Sequence, residues 1–137
     1  MSPARRRLCA GTLALLPPGV VVPAYDRAGL RPGILHLGLG AFHRAHQAVY
    51  TDRALALSGG DWGILGVCMR GDAAARQLLP QDLLYSVRSR GVAEDRLQIV
   101  GALTGIVVAP AEPGATIAPR TSARQRHGSA IPHCNRL

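Results

Sequence analysis

Residues 33–52 read GILHLGLGAFHRAHQAVYTD, and the fold can be predicted outward from this stretch. A turn signal at Arg31-Pro32-Gly33 precedes the short apolar run of residues 34–37, which predicts a buried strand. Gly38-Leu39-Gly40 follows, and residues 41–58 then contain neither Gly nor Pro and are rich in helix-forming residues. The pattern therefore predicts a strand, a glycine-rich turn and a helix.

The next segments extend this pattern into an α/β fold. Gly59-Gly60 ends the predicted helix, and the apolar residues 62–69 predict the second strand of a βαβ unit. Asp72 is placed to cap a short helix that Pro80 closes. We expect two more strands at residues 84–88 and 97–108, separated by the polar turn of residues 90–95. The fold class predicted is a partial Rossmann-type domain, doubly wound around a mostly parallel sheet.

Composition divides the chain into three parts. Its 137 residues suit one domain, and 47% hydrophobic residues are enough for a core. We expect a leader at residues 1–24, a partial Rossmann domain at 25–110 and an irregular tail at 111–137. The tail crowds Pro, Gly, Ser, Thr and Arg without a period of 2 or 3.6, so we interpret it as disordered or out of frame.

The net charge of +8 lies mainly in the two ends. Residues 1–7 and 111–137 each carry +3, whereas the body, residues 8–110, holds nine Arg against seven acidic residues. Charge confined to the ends of a chain with a single Phe is weak evidence for nucleic acid, so a basic-armed nucleic-acid binder is the least favoured alternative.

Cysteine usage and hydropathy bear on the compartment. Cys9, Cys68 and Cys134 are widely spaced with no C-x-x-C pair, which favours a reducing, cytoplasmic setting. The start of the chain resembles a secretory signal, but Pro17-Pro18-Gly19 interrupts its apolar stretch. Since no apolar run approaches the roughly 20 residues of a membrane helix, we expect no membrane partner.

Gly38-x-Gly40 between a strand and a helix opens a G-x-G-x-x-G dinucleotide fingerprint, with His43 in place of the third Gly. The first Gly permits the tight turn and the second lets a pyrophosphate approach the backbone. The third serves close packing of helix on strand, so its replacement should change that packing more than phosphate binding. A glycine turn that merely reverses the chain is the alternative.

A dinucleotide site also needs a carboxylate for the ribose hydroxyls. Asp61 follows Gly40 by 21 residues but precedes the second strand, at the wrong end of the sheet. Asp72 lies beyond the strand's carboxyl end and is the better candidate, although it could equally act as a helix N-cap. Arg70 nearby could meet a 2′-phosphate, so NADP is the rival to NAD.

Two histidines near the start of the predicted helix resemble a pair of metal ligands, but their spacing does not support a metal site. His43 and His46 lie three residues apart with no third ligand nearby, which favours a helix-terminal or cofactor-facing role over zinc. His36, inside the first strand, is predicted to be a hydrogen-bonded core residue. We therefore expect no metal site.

Four parts of the chain form a wider pattern: Tyr25-Asp26-Arg27, residues 33–52, Asp61-Trp62-Gly63 with Gly66-Val67, and Gln81-Asp82 with Leu84-Tyr85. Together they resemble the N-terminal domain of the mannitol dehydrogenase family of long-chain polyol dehydrogenases. The resemblance covers about residues 7–110 and implies a Rossmann-type domain that binds NAD. It assigns residues 37–44, the cofactor loop, together with Asp72 to cofactor binding. In full, the cofactor loop is Leu37, Gly38, Leu39, Gly40, Ala41, Phe42, His43 and Arg44.

The resemblance also implies a reaction whose catalytic residues have no counterpart here. Members interconvert polyols or aldonates with keto-sugars or keto-acids, without zinc, using a lysine base in a K-x-x-x-x-N-x-x-H motif. All sixteen basic residues of this chain are Arg, so no catalytic residue is assigned. We expect a truncated or frame-shifted copy, inactive alone, with a stand-alone nucleotide-binding remnant as the alternative function.

Overall fold

The computed structural model describes residues 6–91 and 95–109. The predicted tail, residues 111–137, lies outside the described residues, as do most of the basic residues at the two ends. Two short 3-10 helices, Ala10–Leu15 and Leu79–Gln81, accompany the main elements. In chain order these are β1 (Pro32–Leu37), α1 (Ala41–Ala45), α2 (Gln47–Ser58), β2 (Gly63–Cys68), α3 (Ala73–Leu78), β3 (Tyr85–Arg90), β4 (Asp95–Val100) and β5 (Leu103–Val108).

The five strands form two sheets. β1, β2 and β5 make a parallel sheet in the order β1-β2-β5, and β3 pairs with β4 in an antiparallel hairpin. Leu37 lies opposite Val67, which lies opposite Val107, so the three parallel strands end at one edge. The predicted βαβ unit and Rossmann-like parallel sheet are confirmed, and the hairpin is an addition to them.

The predicted helix of residues 41–58 is interrupted once. His46 has φ −120° and ψ −85°, which separates α1 from α2. Hydrogen bonds continue across the break, because the His46 amide donates to the Phe42 carbonyl and the Tyr50 amide to the His46 carbonyl. The helix ends as predicted at Gly59, where φ is +66°.

The prediction of a single strand over residues 97–108 is wrong. The chain leaves the hairpin after Val100 and enters the parallel sheet at Leu103. Gly101 between them donates its amide to Asp52 Oδ1, 2.8 Å away, and its carbonyl accepts from Arg27 Nε at 3.0 Å. These contacts with distant residues redirect the backbone at Gly101. The apolar run of residues 97–108 gives no local signal of this break.

The prediction that β1 is a buried strand is also wrong. Ile34 packs against the core, but Leu35 and Leu37 are 54% and 63% exposed. Leu35 and Leu37 alternate with Ile34 along β1, so their side chains lie on the opposite face of the strand. The largest fully buried side chains are Leu55, Ile64, Leu78, Leu83, Leu84, Val100, Leu103 and Ile106.

The segment before β1 packs on the body of the domain. The Ala10 amide donates to Asp82 Oδ2 at 2.9 Å, and Val21 forms a β-bridge with Gln98 of β4. None of the helices within the described ranges is both long enough and apolar enough to cross a bilayer.

Candidate cofactor site

The glycine-rich turn is seated directly on the middle strand. The amides of Gly38 and Leu39 both donate to the Val67 carbonyl, at 2.9 and 3.0 Å. The Leu39 side chain is buried against Gly66 of β2, where an added Cβ would lie 2.9 Å from it. The turn is therefore fixed at the carboxyl edge of the parallel sheet, where open α/β sheets bind their ligands.

The two glycines present bare backbone to open space. Gly38 has φ +93°, a conformation that favours glycine, and an added Cβ would meet no atom of the described residues within 4 Å. At Gly40, the N-cap of α1, the one described atom within 4 Å of an added Cβ would be the Gly38 carbonyl oxygen, at 3.9 Å. Side chains here would fill the space that a pyrophosphate needs, so both positions fit the dinucleotide fingerprint.

The remaining residues of the cofactor loop differ in exposure. Leu37, Ala41 and Phe42 are exposed, and the Phe42 ring stacks on His46 with ring centroids 4.2 Å apart. Arg44 is half-buried, with its guanidinium 5.9 Å from the centre of the Tyr85 ring. Arg44 brings a positive charge to the loop, as an anionic ligand requires.

His43 is buried rather than turned toward the open space. Its ring is 5% exposed and stacks on His36 of β1, with ring centroids 3.5 Å apart and an interplanar angle of 16°. His43 Nδ1 lies 3.1 Å from Gln47 Oε1. Burial, followed by the nearby His36, lowers the pKa of His43 to about 4, so the ring is neutral at pH 7. The sequence predicts His36 to be a hydrogen-bonded core residue. In the structure it is half-buried, and its described contact is the ring stack with His43.

Asp72 lies beyond the carboxyl end of β2, after Gly71 with φ +139°. It occupies the N-cap position of α3, but its side chain makes no capping hydrogen bond and pairs instead with Arg76 at 3.1 Å. Arg76 is largely exposed and the Asp72 side chain is about half exposed, so the pair contributes little to stability and leaves Asp72 accessible. Asp61 precedes β2 and lies at the opposite edge of the sheet, as expected.

The structure also contains a buried polar network that the sequence did not predict. Asp52 of α2 is 3% exposed and accepts three hydrogen bonds, from Tyr25 Oη at 2.6 Å, Gln98 Nε2 at 3.0 Å and the Gly101 amide at 2.8 Å. Burial and the bond to Asp52 raise the pKa of Tyr25. The spacing of residues in the helix could have predicted the burial of Asp52, because Asp52 lies on the same helix face as the buried Ala48 and Leu55.

Within the described ranges, no three His, Cys, Asp or Glu side chains lie close enough together to hold a metal ion. His46 is exposed, and its Nδ1 lies 2.8 Å from the Phe42 carbonyl oxygen.

Comparison with known proteins gives a consistent result. A family model described as the mannitol dehydrogenase Rossmann domain matches residues 32–118. Mannitol 2-dehydrogenase of Cereibacter sphaeroides is 46% identical over 110 residues, covering 78% of this chain and 23% of that protein. Mannitol dehydrogenase 2 of Saccharomyces cerevisiae is 41% identical over 113 residues, covering 80% of this chain and 22% of that protein.

A solved structure shares both fold and sequence. The Pseudomonas fluorescens mannitol 2-dehydrogenase, in a ternary complex with NAD and D-mannitol, superposes with a TM-score of 0.72 at 38% identity. The match covers 77% of this chain and 22% of that one. This chain thus spans about a fifth of the length of the relatives it matches.

Proposed function

Because the chain belongs to the mannitol dehydrogenase family, we propose that it is the dinucleotide-binding part of an NAD-dependent polyol oxidoreductase. The observation that carries this proposal is the bare backbone of Gly38 and Gly40, in a turn that is fixed at the carboxyl edge of a parallel sheet because the Val67 carbonyl accepts from the Gly38 and Leu39 amides. It is supported by the likeness to a structure that contains NAD and D-mannitol.

We propose that the pyrophosphate of NAD lies over the cofactor loop. The amides of Gly38, Leu39 and Gly40 are already engaged by Val67 and Gly38 carbonyls. Helix geometry leaves the amides of Ala41 and Phe42 without intrahelical acceptors, because the first helical bond comes from Arg44 to Gly40. Those two amides would donate hydrogen bonds to phosphate oxygens, and the positive charge of the Arg44 guanidinium would offset the negative charge of the phosphates.

Asp72 would bind the adenosine ribose and select NAD. A carboxylate accepts hydrogen bonds from the two ribose hydroxyls and repels a 2′-phosphate. The opposite preference is supported by Arg70 and Arg76 beside it, and by a relative named polyol:NADP oxidoreductase from Gluconobacter oxydans, 38% identical over 111 residues. We favour NAD because the Asp72 carboxylate lies beyond the carboxyl end of β2, at the edge of the sheet where the loop lies.

Bound NAD supplies the hydride acceptor for a polyol CH–OH group. The part played by the described residues is to bind and orient that cofactor. Removing the hydroxyl proton needs a base, and the family's lysine has no counterpart in a chain without Lys. We therefore propose that these 137 residues bind NAD without oxidising a polyol, which makes a nucleotide-binding module the second candidate for the chain by itself.

We propose the cytoplasm as the compartment, because widely spaced cysteines with no C-x-x-C pair favour a reducing setting.

Titration of the full chain with NAD and with NADP tests this function. We expect NAD to bind more tightly than NADP, with no NADH formed when D-mannitol is added. The Asp72→Ala variant should weaken NAD binding about tenfold or more and reduce the preference over NADP. Asp61→Ala, at the opposite edge of the sheet, is the matched control and should bind as the unsubstituted chain does. Equal NAD binding by the two variants would contradict the assignment of Asp72.

A further inference from the structure

His43 stands where the dinucleotide fingerprint has its third glycine, and the structure shows how a side chain fits there. A glycine at that position lets the helix pack closely on the strand. Here the imidazole occupies the gap between α1 and β1, and its face lies 3.5 Å from the His36 ring at an angle of 16°. The spacing of helix and strand is therefore set by two stacked rings.

The same ring also joins α1 to α2. His43 belongs to α1, and its Nδ1 lies 3.1 Å from Gln47 Oε1, in the first turn of α2. The helix break at His46 falls between these two residues. With the Gln47 oxygen as acceptor, Nδ1 carries the proton, and Nε2 is a buried acceptor without a hydrogen-bond partner in the described part of the chain.

An unsatisfied buried nitrogen is uncommon and unfavourable. It persists here because the ring is fixed on one side by His36 and on the other by Gln47. The ring thus contacts β1, belongs to α1 and bonds to α2. Since α1 follows Gly40 directly, the orientation of α1 determines where the Ala41 and Phe42 amides point.

We propose that the stack of His36 on His43 takes the place of the third glycine, and that both histidines are positioning residues for the cofactor loop. This inference rests on the proposed NAD site. Neither ring need touch the cofactor, because the pair acts by fixing α1 and hence the amides that would face the pyrophosphate. A flat ring at position 36 is the essential feature.

Substitution of His36 separates positioning from general stability. His36→Ala removes the stack and should weaken NAD binding about tenfold in the full chain, at a temperature where melting shows it folded. His36→Phe keeps a flat ring and should bind within about threefold of the unsubstituted chain. Leu35→Ala is the control, because Leu35 is on the same strand with its side chain on the opposite face.

Two further measurements make every outcome informative. His36→Gln, which is polar but lacks a ring, should behave as His36→Ala does, and it replaces that variant if the alanine chain does not fold. Melting temperatures of His36→Ala, His43→Ala and the double variant should be non-additive, because either single change already removes the stack.

The results distinguish this inference from the proposed function. If the unsubstituted chain binds no NAD, both are overturned. If it binds NAD and the His36→Ala or His36→Gln chain binds equally well, only the positioning role is overturned. Loss of binding in His36→Phe equal to that in His36→Gln would also overturn it, because the ring would then not be the essential feature.

Discussion

His43 is a single residue whose surroundings determine its ionisation. Its ring is almost completely buried between His36 and the body of the domain, with Arg44 as a neighbouring cation. Burial and these neighbours disfavour a second proton, which lowers the pKa of His43 from its ordinary value of 6.5 to about 4. At His43, the folded chain therefore binds fewer protons than the unfolded chain between these two pH values.

This difference predicts a pH-dependent stability. As the pH falls below 6.5, the unfolded chain gains a proton at His43 and the folded chain does not, so the free energy of unfolding decreases until about pH 4. The contribution of His43 should amount to roughly 2 kcal/mol between pH 7 and pH 5. Urea unfolding at both pH values, compared with His43→Phe, measures it. An equal pH dependence in the two chains would contradict the burial of an unprotonated His43.

At the scale of elements, Asp52 joins parts of the fold that the sequence keeps far apart. Its three hydrogen bonds connect α2 to Tyr25 before β1, to Gln98 in β4 and to the Gly101 amide between β4 and β5. Arg27 extends the network, because its Nη2 donates to the Asp82 carbonyl at 2.7 Å. Tyr25 and Arg27 thus hold together elements that lie outside the cofactor loop.

Asp52→Asn should lower the free energy of unfolding by about 1–3 kcal/mol, because an amide replaces one of the two acceptor oxygens and faces a donor. Urea unfolding at pH 7 provides the measurement. Asp26→Asn is the control, since Asp26 is exposed and accepts one local hydrogen bond, from the Ala28 amide at 2.9 Å. If both variants were equally stable, the network would not hold the elements together as described.

The elements that the sequence predicts well are those specified locally. Local signals determine the βαβ unit without reference to distant residues. They are the glycines at positions 38, 40, 59 and 60 and the apolar run of residues 62–69. The split between β4 and β5 depends on Asp52 and Arg27, which lie 49 and 74 residues from Gly101 along the chain. Such long-range contacts are invisible to a reading of local periodicity.

The candidate site was predictable to a similar extent. The glycine turn, the placement of Asp72 beyond β2 and that of Asp61 before it follow from chain order and agree with the structure. The ring stack of His36 and His43 could not be foreseen, because a histidine in a strand and one in a helix give no sequence signal of contact. Binding of cofactor by these residues stays a prediction.

At the scale of the whole molecule, the described residues form a partial α/β domain. Along β1, Ile34 packs against the core, whereas Leu35 and Leu37 are more than half exposed on the opposite face of the strand. Parallel sheets normally bury both faces. Val67 of β2, which lies opposite Leu37, is buried, so the exposure of Leu35 and Leu37 is a property of β1 at the edge of the described sheet. This edge position explains why the apolar pattern of β1 predicts more burial than is found.

Calorimetric titration of the full chain with NAD shows whether the bare backbone of the glycine turn binds this cofactor. Gly38→Ala should weaken binding at least tenfold. The substitution adds a Cβ in the cofactor loop and forces alanine into a positive φ that it rarely adopts. Gly19→Ala is the matched control, since Gly19 also has a positive φ, +90°, and open space at its Cβ but lies outside the loop. Binding by the unsubstituted chain and by Gly19→Ala, with loss in Gly38→Ala, is the predicted result. No binding by the unsubstituted chain, or equal binding by both variants, would contradict the account.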